Sequence, residues 1–357
     1  MTILITAASR RVPLALAFRN ALGALGRPGR VIVTDVNPLS PAVHVADRAY
    51  RVPLADDPDY LPELLKICET ESVRLAVPTI DDELELFGSA RQRFADLGAM
   101  AACSTRETAA HCNDKYATWR ILAAAGVPAA RTYLPKQLPA KVRFPLFIKP
   151  RVGRGAVGAH KVRNKRDLDF FLKYVKSPII QEYLDSPEYT IDVLCNAAGH
   201  PLSIVPRERV VIRAGVMDRG RTVKSAALIS LAEQVCSTMR FFGPINIQCR
   251  LRDGWPAVFE INPRFSGGIP LTIASGADFP KWLITMASGV EIAPRVGEFE
   301  DGLWMTSYEA SVFLDEGSLR LPVCLAKPRT PSTSLRAGPS TSLRSSPSTP
   351  LRTSEVE

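Results

Sequence analysis

The chain has 357 residues, 46% of them apolar, enough to bury a large core shared among two or three compact units. Its formal charge of +9 overstates any pull on nucleic acid: beyond Leu325, Lys327, Arg329, Arg336, Arg344 and Arg352 are offset only by Glu355 and Glu357, which leaves +6 on the body. No aromatic-plus-basic module accompanies that charge, so nucleic acid is not expected as a partner.

Seven scattered cysteines, odd in number and never spaced C-x-x-C, argue against a disulfide framework and a structural zinc site, and point to a reducing cytoplasm. The opening MTILITAASRR has too short an apolar run for a signal peptide, and no stretch approaches a membrane span.

In chain order, Ile3 to Thr6 and Val31 to Thr34 read as buried strands with a helix from Val12 to Leu25 between them, a βαβ unit. A helix from Tyr60 to Glu71, apolar at Leu61, Leu64, Leu65 and Cys68, precedes a further strand at Arg74 to Pro78. Residues 1–110 are therefore expected to form a doubly wound α/β domain. Its first turn, Ala7-Ala8-Ser9-Arg10, lacks G-x-G-x-x-G, so a dinucleotide site is not expected there.

A helix is predicted from Asn113 to Gly126, with Asp114 and Lys115 at its start and Gly126-Val127-Pro128 as its stop. Strands follow at Phe144 to Lys149 and Gly158 to Val162, a helix at Lys165 to Val175, and strands at Ile179 to Tyr183 and Tyr189 to Cys195, the last two separated by Leu184 to Glu188. Ile245 to Arg250 and Ala257 to Ile261 are joined by Asp253-Gly254, a strong hairpin signal. Residues 111–190 and 191–320 thus read as two α+β lobes with antiparallel pairing. PSTSLR at 331 and 339 and PSTPLR at 347 repeat every eight residues, too poor in apolar side chains to offset ordering entropy, so 325–357 is expected to be a disordered tail.

Three segments carry chemistry. In F-P-L-F-I-K-P-R-V-G-R-G-A-V-G (144–158), glycines let a backbone fold close over phosphate oxygens, with Lys149 just upstream to meet their charge. The segment is not a P-loop, and taken alone it also fits a plain tight hairpin. In Gln181-Glu182-Tyr183-Leu184 followed by Pro187-Glu188, a strand ending on a carboxylate can offer backbone groups to an adenine edge and carboxylates to ribose hydroxyls; a solvated strand end is the plainer alternative. The third segment is the most specific. Strand alternation sends Glu260 and Asn262 to one face, with Phe259 and Ile261 expected on the core side and Gln248 able to share the polar face from the paired strand. Few oxygen ligands with room for phosphates and water suit magnesium on a nucleotide.

Lys115, Ile148-Lys149-Pro150 with the glycine loop, Gln181-Glu182-Tyr183-Leu184, and Gln248 followed by Glu260-Ile261-Asn262-Pro263-Arg264 occur together in an order and spacing that resemble the ATP-grasp superfamily, in particular the carbamoyl-phosphate-synthase large-chain-like branch, here as a single unit. The resemblance covers about residues 1–320. It implies an N-terminal doubly wound (pre-ATP-grasp) domain followed by a two-lobed ATP-grasp domain, with ATP and magnesium as cofactors, or manganese in its place.

Residue by residue, the resemblance implies that Lys115 and Lys149 contact phosphates beneath Gly153, Arg154, Gly155 and Gly158. Glu182, Tyr183 and Leu184 would form the adenine hinge, and Glu188 would bind ribose. Glu260, Asn262 and Gln248 would form the metal site, and Asn262 and Arg264 the catalytic pair. Arg207 and Arg209, in the basic stretch that runs to Lys224, are expected with Arg264 to contact substrate; a solvated basic loop is the competing reading.

The implied reaction activates a carboxylate as an acyl phosphate, with ATP going to ADP, for attack by an amine. A single grasp unit departs from full carbamoyl-phosphate synthetases, which carry two, so the resemblance extends to the half-reaction. The alternatives are an ATP-binding regulatory or scaffold protein without turnover, and a kinase that stops at the phosphorylated acceptor. Small carboxylates and amines are the expected partners, with homodimerisation left open. His44, His111, His160 and His200 fall in no ligand or nucleophile pattern.

Overall fold

The computed structural model describes residues 1–153 and 155–316. The repeat tail, 325–357, lies outside the described residues, as does Arg154.

The N-terminal part is a sheet of five parallel strands, β1 (Thr2–Ile5), β2 (Arg30–Asp35), β3 (Arg48–Arg51), β4 (Val73–Val77) and β5 (Met100–Ala101), in the order β3-β2-β1-β4-β5. Helices α1 (Val12–Ala24), α2 (Pro41–Val45), α3 (Tyr60–Thr70), α4 (Asp81–Ser89) and α5 (Arg91–Asp96) connect and cover it. Both faces are buried, which is why the strands are continuous apolar runs. Ile3, Ile5, Val31 and Val33 pack with Leu14 and Phe18 of α1, while Leu4, Ile32 and Ala76 pack with Leu61, Leu64 and Cys68 of α3. The chain winds outward in both directions from the β1–β4 pair, so the loops after these two strands frame the crevice at the topological switch point.

Two short helices follow, α6 (Arg106–Asn113) and α7 (Lys115–Ala124), where a single helix from Asn113 was expected. Asp114 divides them. Its backbone is extended and its carboxylate accepts hydrogen bonds from the amides of Tyr116 and Ala117, so it caps α7 and cannot continue α6.

The next lobe is a four-stranded antiparallel sheet, β6 (Thr132–Tyr133), β7 (Leu146–Pro150), β8 (His160–Val162) and β9 (Pro178–Glu182), in the order β6-β9-β7-β8. Helix α8 (Lys165–Tyr174) sets Leu168 against Leu146, Ile148, Val162 and Ile180.

The last lobe is a six-stranded antiparallel sheet: β10 (Glu188–Cys195), β11 (Pro201–Arg213), β12 (Val216–Thr222), β13 (Gly243–Arg252), β14 (Trp255–Asn262) and β15 (Trp304–Thr306), ordered β14-β13-β10-β11-β12-β15. Helix α9 (Ala226–Thr238) covers one face, with Leu228, Leu231 and Val235 on Ile191, Val193, Ile247 and Ile261. Helices α10 (Ile269–Ala274) and α11 (Phe279–Met286) return the chain to the N-terminal domain. There Phe265 meets Phe18 edge-to-face at 6.0 Å, both fully buried. Burying two such rings contributes on the order of 2 kcal/mol each and fixes α1 against the segment that follows β14.

Three differences from the sequence expectation bear on the site. Arg207 to Thr222 forms the β11–β12 hairpin where a basic loop was the competing reading, because Arg207, Arg209 and Arg221 each find an acid on a neighbouring strand or the same hairpin. Glu188 is the first residue of β10, not part of the preceding connection, held in register opposite both Arg209 and Arg250. Phe259 leaves the core side. A register shift pairs Gln248 with Glu260 but Cys249 with Val258, so Phe259 is the extra residue of a β-bulge and turns to the cleft.

Candidate active site

A cleft of about 770 Å³ opens where the three parts of the fold meet, walled by the switch-point loops, by the small antiparallel lobe, and by the face of the large sheet that α9 leaves open. Cross-strand register builds that face. Glu260 on β14 lies opposite Gln248 on β13, Gln248 opposite Thr190 on β10, and Thr190 opposite Arg207 on β11, so one polar row crosses four strands. All four residues line the cleft. Residues directly opposite one another in a sheet share a face, which is why residues so far apart in sequence converge.

Lys149, on β7, reaches this row from the facing lobe. It is 5% exposed, its Nζ lies 3.5 Å from Glu260 Oε2 and donates to the Phe259 carbonyl at 3.3 Å, and it sits over the Phe259 ring at 5.3 Å. Burial lowers its pKa from the ordinary lysine value; Glu260 pulls it back up and the nearby charge of Lys115 lowers it again. Glu260 also accepts from Asn262 Nδ2 at 3.4 Å, and Asn262 in turn contacts Asn246 at 3.3 Å. Oxygens from one carboxylate and two amides, beside a buried ammonium, form a hard donor set with few protein ligands, which fits a divalent ion carried mainly by phosphates. Among the described residues no group of three or more His, Cys, Asp or Glu side chains forms a closed protein cage for a metal.

The glycine loop enters the cleft through Gly155 and the neighbouring Ala156 and Ala159. Gly153 and Gly158 are not among the lining residues, and neither is Lys115. Lys115 is buried instead, with its Nζ donating to the Gly153 carbonyl at 2.5 Å, so it anchors the loop's first glycine from behind. Its helix start is fixed by Asp114, which Arg151 grips with two hydrogen bonds. Burial alone would raise the Asp114 pKa; the Arg151 bonds and the α7 amides bring it below the usual value. Gly215, at the turn of the β11–β12 hairpin, approaches Gly155 so closely that a Cβ there would stand 3.7 Å from its backbone. The hairpin tip therefore hangs beside the glycine loop.

Glu182, Tyr183, Leu184 and Glu188 line the wall between the lobes. The Glu182 carboxylate is bound by Arg252 and accepts from the Arg131 amide at 2.9 Å, and its own amide donates to the Arg131 carbonyl at 2.9 Å, so the fold already uses both groups. Glu188 is gripped by Arg209 and, at 2.8 Å, by Arg250. Arg209 is correspondingly committed, and burial lowers its pKa despite Glu188. Arg207 is more so: 1% exposed, it donates to Asp192 at 2.8 Å and to Ser266 Oγ at 2.9 Å. A Cβ on Gly268 would sit 2.4 Å from its Nη1, so a side chain there would have to displace the guanidinium that supports the turn. Arg207 thus reads as a positioning residue for the 266–268 turn, where substrate contact was expected.

Sequence reasoning missed one wall of the cleft. Ala7, Ser9, Arg10 and Arg11 after β1, and Thr79, Ile80 and Asp81 after β4, all line it. Arg264 Nη2 bonds Asp81 Oδ2 at 2.8 Å, tying the end of β14 to the start of α4. Buried Glu83 holds that start in place by accepting from the amides of Thr79 at 2.7 Å and Ile80 at 3.2 Å and from the Tyr60 hydroxyl. The available signal was the strand order implied by the β–α alternation, since ligands collect at the carboxyl ends of parallel strands where the winding reverses.

Comparison with known proteins agrees with this architecture. A family model for ATP-grasp in the biosynthetic pathway with Ter operon matches residues 175–310, and one for the PylC-like N-terminal domain matches residues 3–102. The carbamoyl phosphate synthase large chain of Caldanaerobacter subterraneus subsp. tengcongensis is 26% identical over 219 residues, 56% of this chain and 20% of that protein, so the chain spans about a fifth of this relative. Among solved structures, the biotin carboxylase domain of Hydrogenobacter thermophilus 2-oxoglutarate carboxylase, in complex with MgADP, ADP and bicarbonate, superimposes with a TM-score of 0.67 at 16% identity, covering 85% of this chain and 73% of that one. L-amino acid ligase from Bacillus licheniformis gives 0.64 at 17% identity, covering 84% and 77%. With a parallel switch-point domain, two antiparallel lobes facing across one cleft, and these matches, the chain is an ATP-grasp protein.

Proposed function

We propose that the chain is an ATP- and magnesium-dependent carboxylate–amine ligase of the cytoplasm, with residues 111–190 and 191–320 as the two lobes around the nucleotide. The observation that carries the reading is the single cleft in which buried Lys149 faces the Glu260–Gln248 row while the switch-point loops close the far end. One end suits a polyphosphate and the other a small polar acceptor. The MgADP and bicarbonate bound in the carboxylase domain, and the likeness to an L-amino acid ligase, support the same division of roles.

In this reading the hinge backbone at Glu182 to Leu184 receives adenine and Glu188 the ribose. Gly155 and its neighbours cover the phosphates from above, and Lys149 neutralises them from the side. Glu260, Asn262 and Gln248 would hold magnesium, which supplies charge neutralisation on the phosphate oxygens. A carboxylate oxygen of the acceptor attacks the γ-phosphorus as the bond to the β–γ bridging oxygen breaks, giving ADP and an acyl phosphate. An amine then attacks the acyl carbon, inorganic phosphate leaves, and the nitrogen loses a proton to form the amide. Phosphoryl transfer of this kind depends on positioning and charge, which is what the polar row and Lys149 provide.

The test is release of ADP by the full chain, with magnesium, under a matrix of small carboxylates and amines. ADP formed only when both partners are present supports the ligase. Formation with the acid alone, and a stable phosphorylated product, would select a kinase. Saturable ATP binding without ADP under any pair would select the non-hydrolysing binder.

A further inference from the structure

The cleft's cations are nearly all spent on internal partners. Lys149 faces Glu260, Arg207 binds Asp192, Arg209 and Arg250 share Glu188, Arg213 pairs with Asp218 and Glu309, and Arg264 holds Asp81. Arg11 is tied down by the Thr79 carbonyl at 2.7 Å. Arg10 is different: it lines the cleft, is exposed, and among the described residues has neither an acid nor a carbonyl partner.

Its backbone is nevertheless held firmly. Ala7 and Ser9 take left-handed φ values of 47° and 44°, a conformation that disfavours a non-glycine residue and persists only when surroundings enforce it. Here Asp35 accepts the Ser9 amide at 2.6 Å, the Ala8 amide donates to the Thr34 carbonyl at 3.0 Å, and the Arg11 guanidinium anchors to the neighbouring loop. A strained turn is thus pinned on three sides at the switch point and presents one unpaired guanidinium to the cleft. A guanidinium in that setting recognises a carboxylate or phosphate through paired N–H donors.

We propose that Arg10 is a specificity-determining residue that binds a second anionic group of the acceptor, distinct from the carboxylate that is activated. The acceptor class is then a small acid with two anionic groups, a dicarboxylate or a phosphorylated carboxylate. The inference rests on the ligase reading for the identity of the reacting end, but the anion site is testable by binding alone.

Isothermal titration into the full chain, saturated with ADP and magnesium, would use succinate, L-glutamate and O-phospho-L-serine as probes, each against its counterpart with one anion fewer: succinamate, L-glutamine and L-serine. At least one doubly anionic probe is expected to bind about tenfold or more tightly than its counterpart, the scale of one charged hydrogen-bonded pair. R10A should erase that preference and leave ADP affinity within about twofold; R10K should keep part of it. Which probe is preferred separates carboxylate from phosphate. No preference for any doubly anionic probe, or a preference that survives R10A, overturns the proposal. Failure of the unmodified chain to bind ADP would instead break the nucleotide reading and is read separately in the same titration.

Discussion

The two ends of the cleft are built by opposite strategies. At the large sheet, Glu260, Gln248, Thr190 and Arg207 are brought together by strand register, so each side chain's direction follows from alternation along its own strand. At the N-terminal domain, Ser9, Arg10, Thr79 and Asp81 sit in loops whose placement follows from sheet order and from long-range polar contacts such as Arg11 to Thr79 and Arg264 to Asp81. The first construction is local and repetitive, whereas the second depends on the whole domain folding first. A substitution at the sheet face should therefore remove chemistry and spare the fold, and one in the supports of the loops should alter selectivity or stability.

The largest effect is expected at the sheet face. Glu260→Ala should lower magnesium-dependent kcat/KM by about 10²–10³ or more, the scale of losing one preorganised charged contact, with the thermal midpoint within a few degrees of the unmodified chain. A comparable loss of stability would mean that Glu260 belongs to the fold. Asp192 provides the contrasting case. It is 1% exposed and neutralises Arg207 while accepting from Thr272 at 2.5 Å, so Asp192→Ala strands a buried guanidinium and should cost about 3–5 kcal/mol in chemical denaturation. A loss below 1 kcal/mol would show that Arg207 reaches water or a ligand instead.

Asp81→Asn tests the joint between the two regions. Freed from its partner, Arg264 should keep its place near Asn262 but lose its tie to α4, and the cost to stability should be about 1 kcal/mol, as for a partly exposed ion pair. Steady-state kinetics should register it mainly in the KM of the acceptor. An equal rise in the KM of ATP would place the joint on the nucleotide side.

The smallest effect is a pH dependence. Because burial lowers the Lys149 pKa, free protein loses this ammonium at a lower pH than an ordinary lysine would, and a triphosphate that needs the charge must restore the proton. ATP affinity should be flat below that lowered pKa and fall as pH rises through it, with proton uptake on binding. Lys149→Arg, which does not titrate in this range, should remove the alkaline fall; an unchanged profile would assign it to another group.

The contrast between the two ends also explains what was legible in the sequence. The hairpin at Asp253-Gly254, with left-handed φ at both residues, set the pairing from Arg252 with Trp255 to Cys249 with Val258, and alternation beyond it put Glu260 and Asn262 on one face; the bulge then brings Glu260 opposite Gln248. Phe259 escaped the same rule because a bulge is a one-residue shift that no residue in the segment announces. The resemblance implied a phosphate contact for Lys115; its amine also donates to the Gly153 carbonyl, a contact between α7 and the glycine loop that sequence spacing does not announce. Substrate contact was expected of the basic stretch because arginines suit carboxylates and phosphates; Asp192 and Glu188, which pair with Arg207 and Arg209, are strand neighbours outside the stretch, and Glu208 within it meets Arg221 only across the hairpin. The switch-point wall was passed over for want of a glycine fingerprint, although strand order alone directs ligands there.

Isotope transfer from the acid tests the central claim most directly. With the acid identified by the ADP screen and labelled with ¹⁸O in its carboxylate, the account predicts inorganic phosphate carrying one ¹⁸O for each ADP released in the presence of the amine, because the acyl-phosphate bridging oxygen leaves with phosphorus. Phosphate free of label, with amide formed or ADP released at the same rate, would mean that water or another nucleophile attacks the γ-phosphorus and would contradict it.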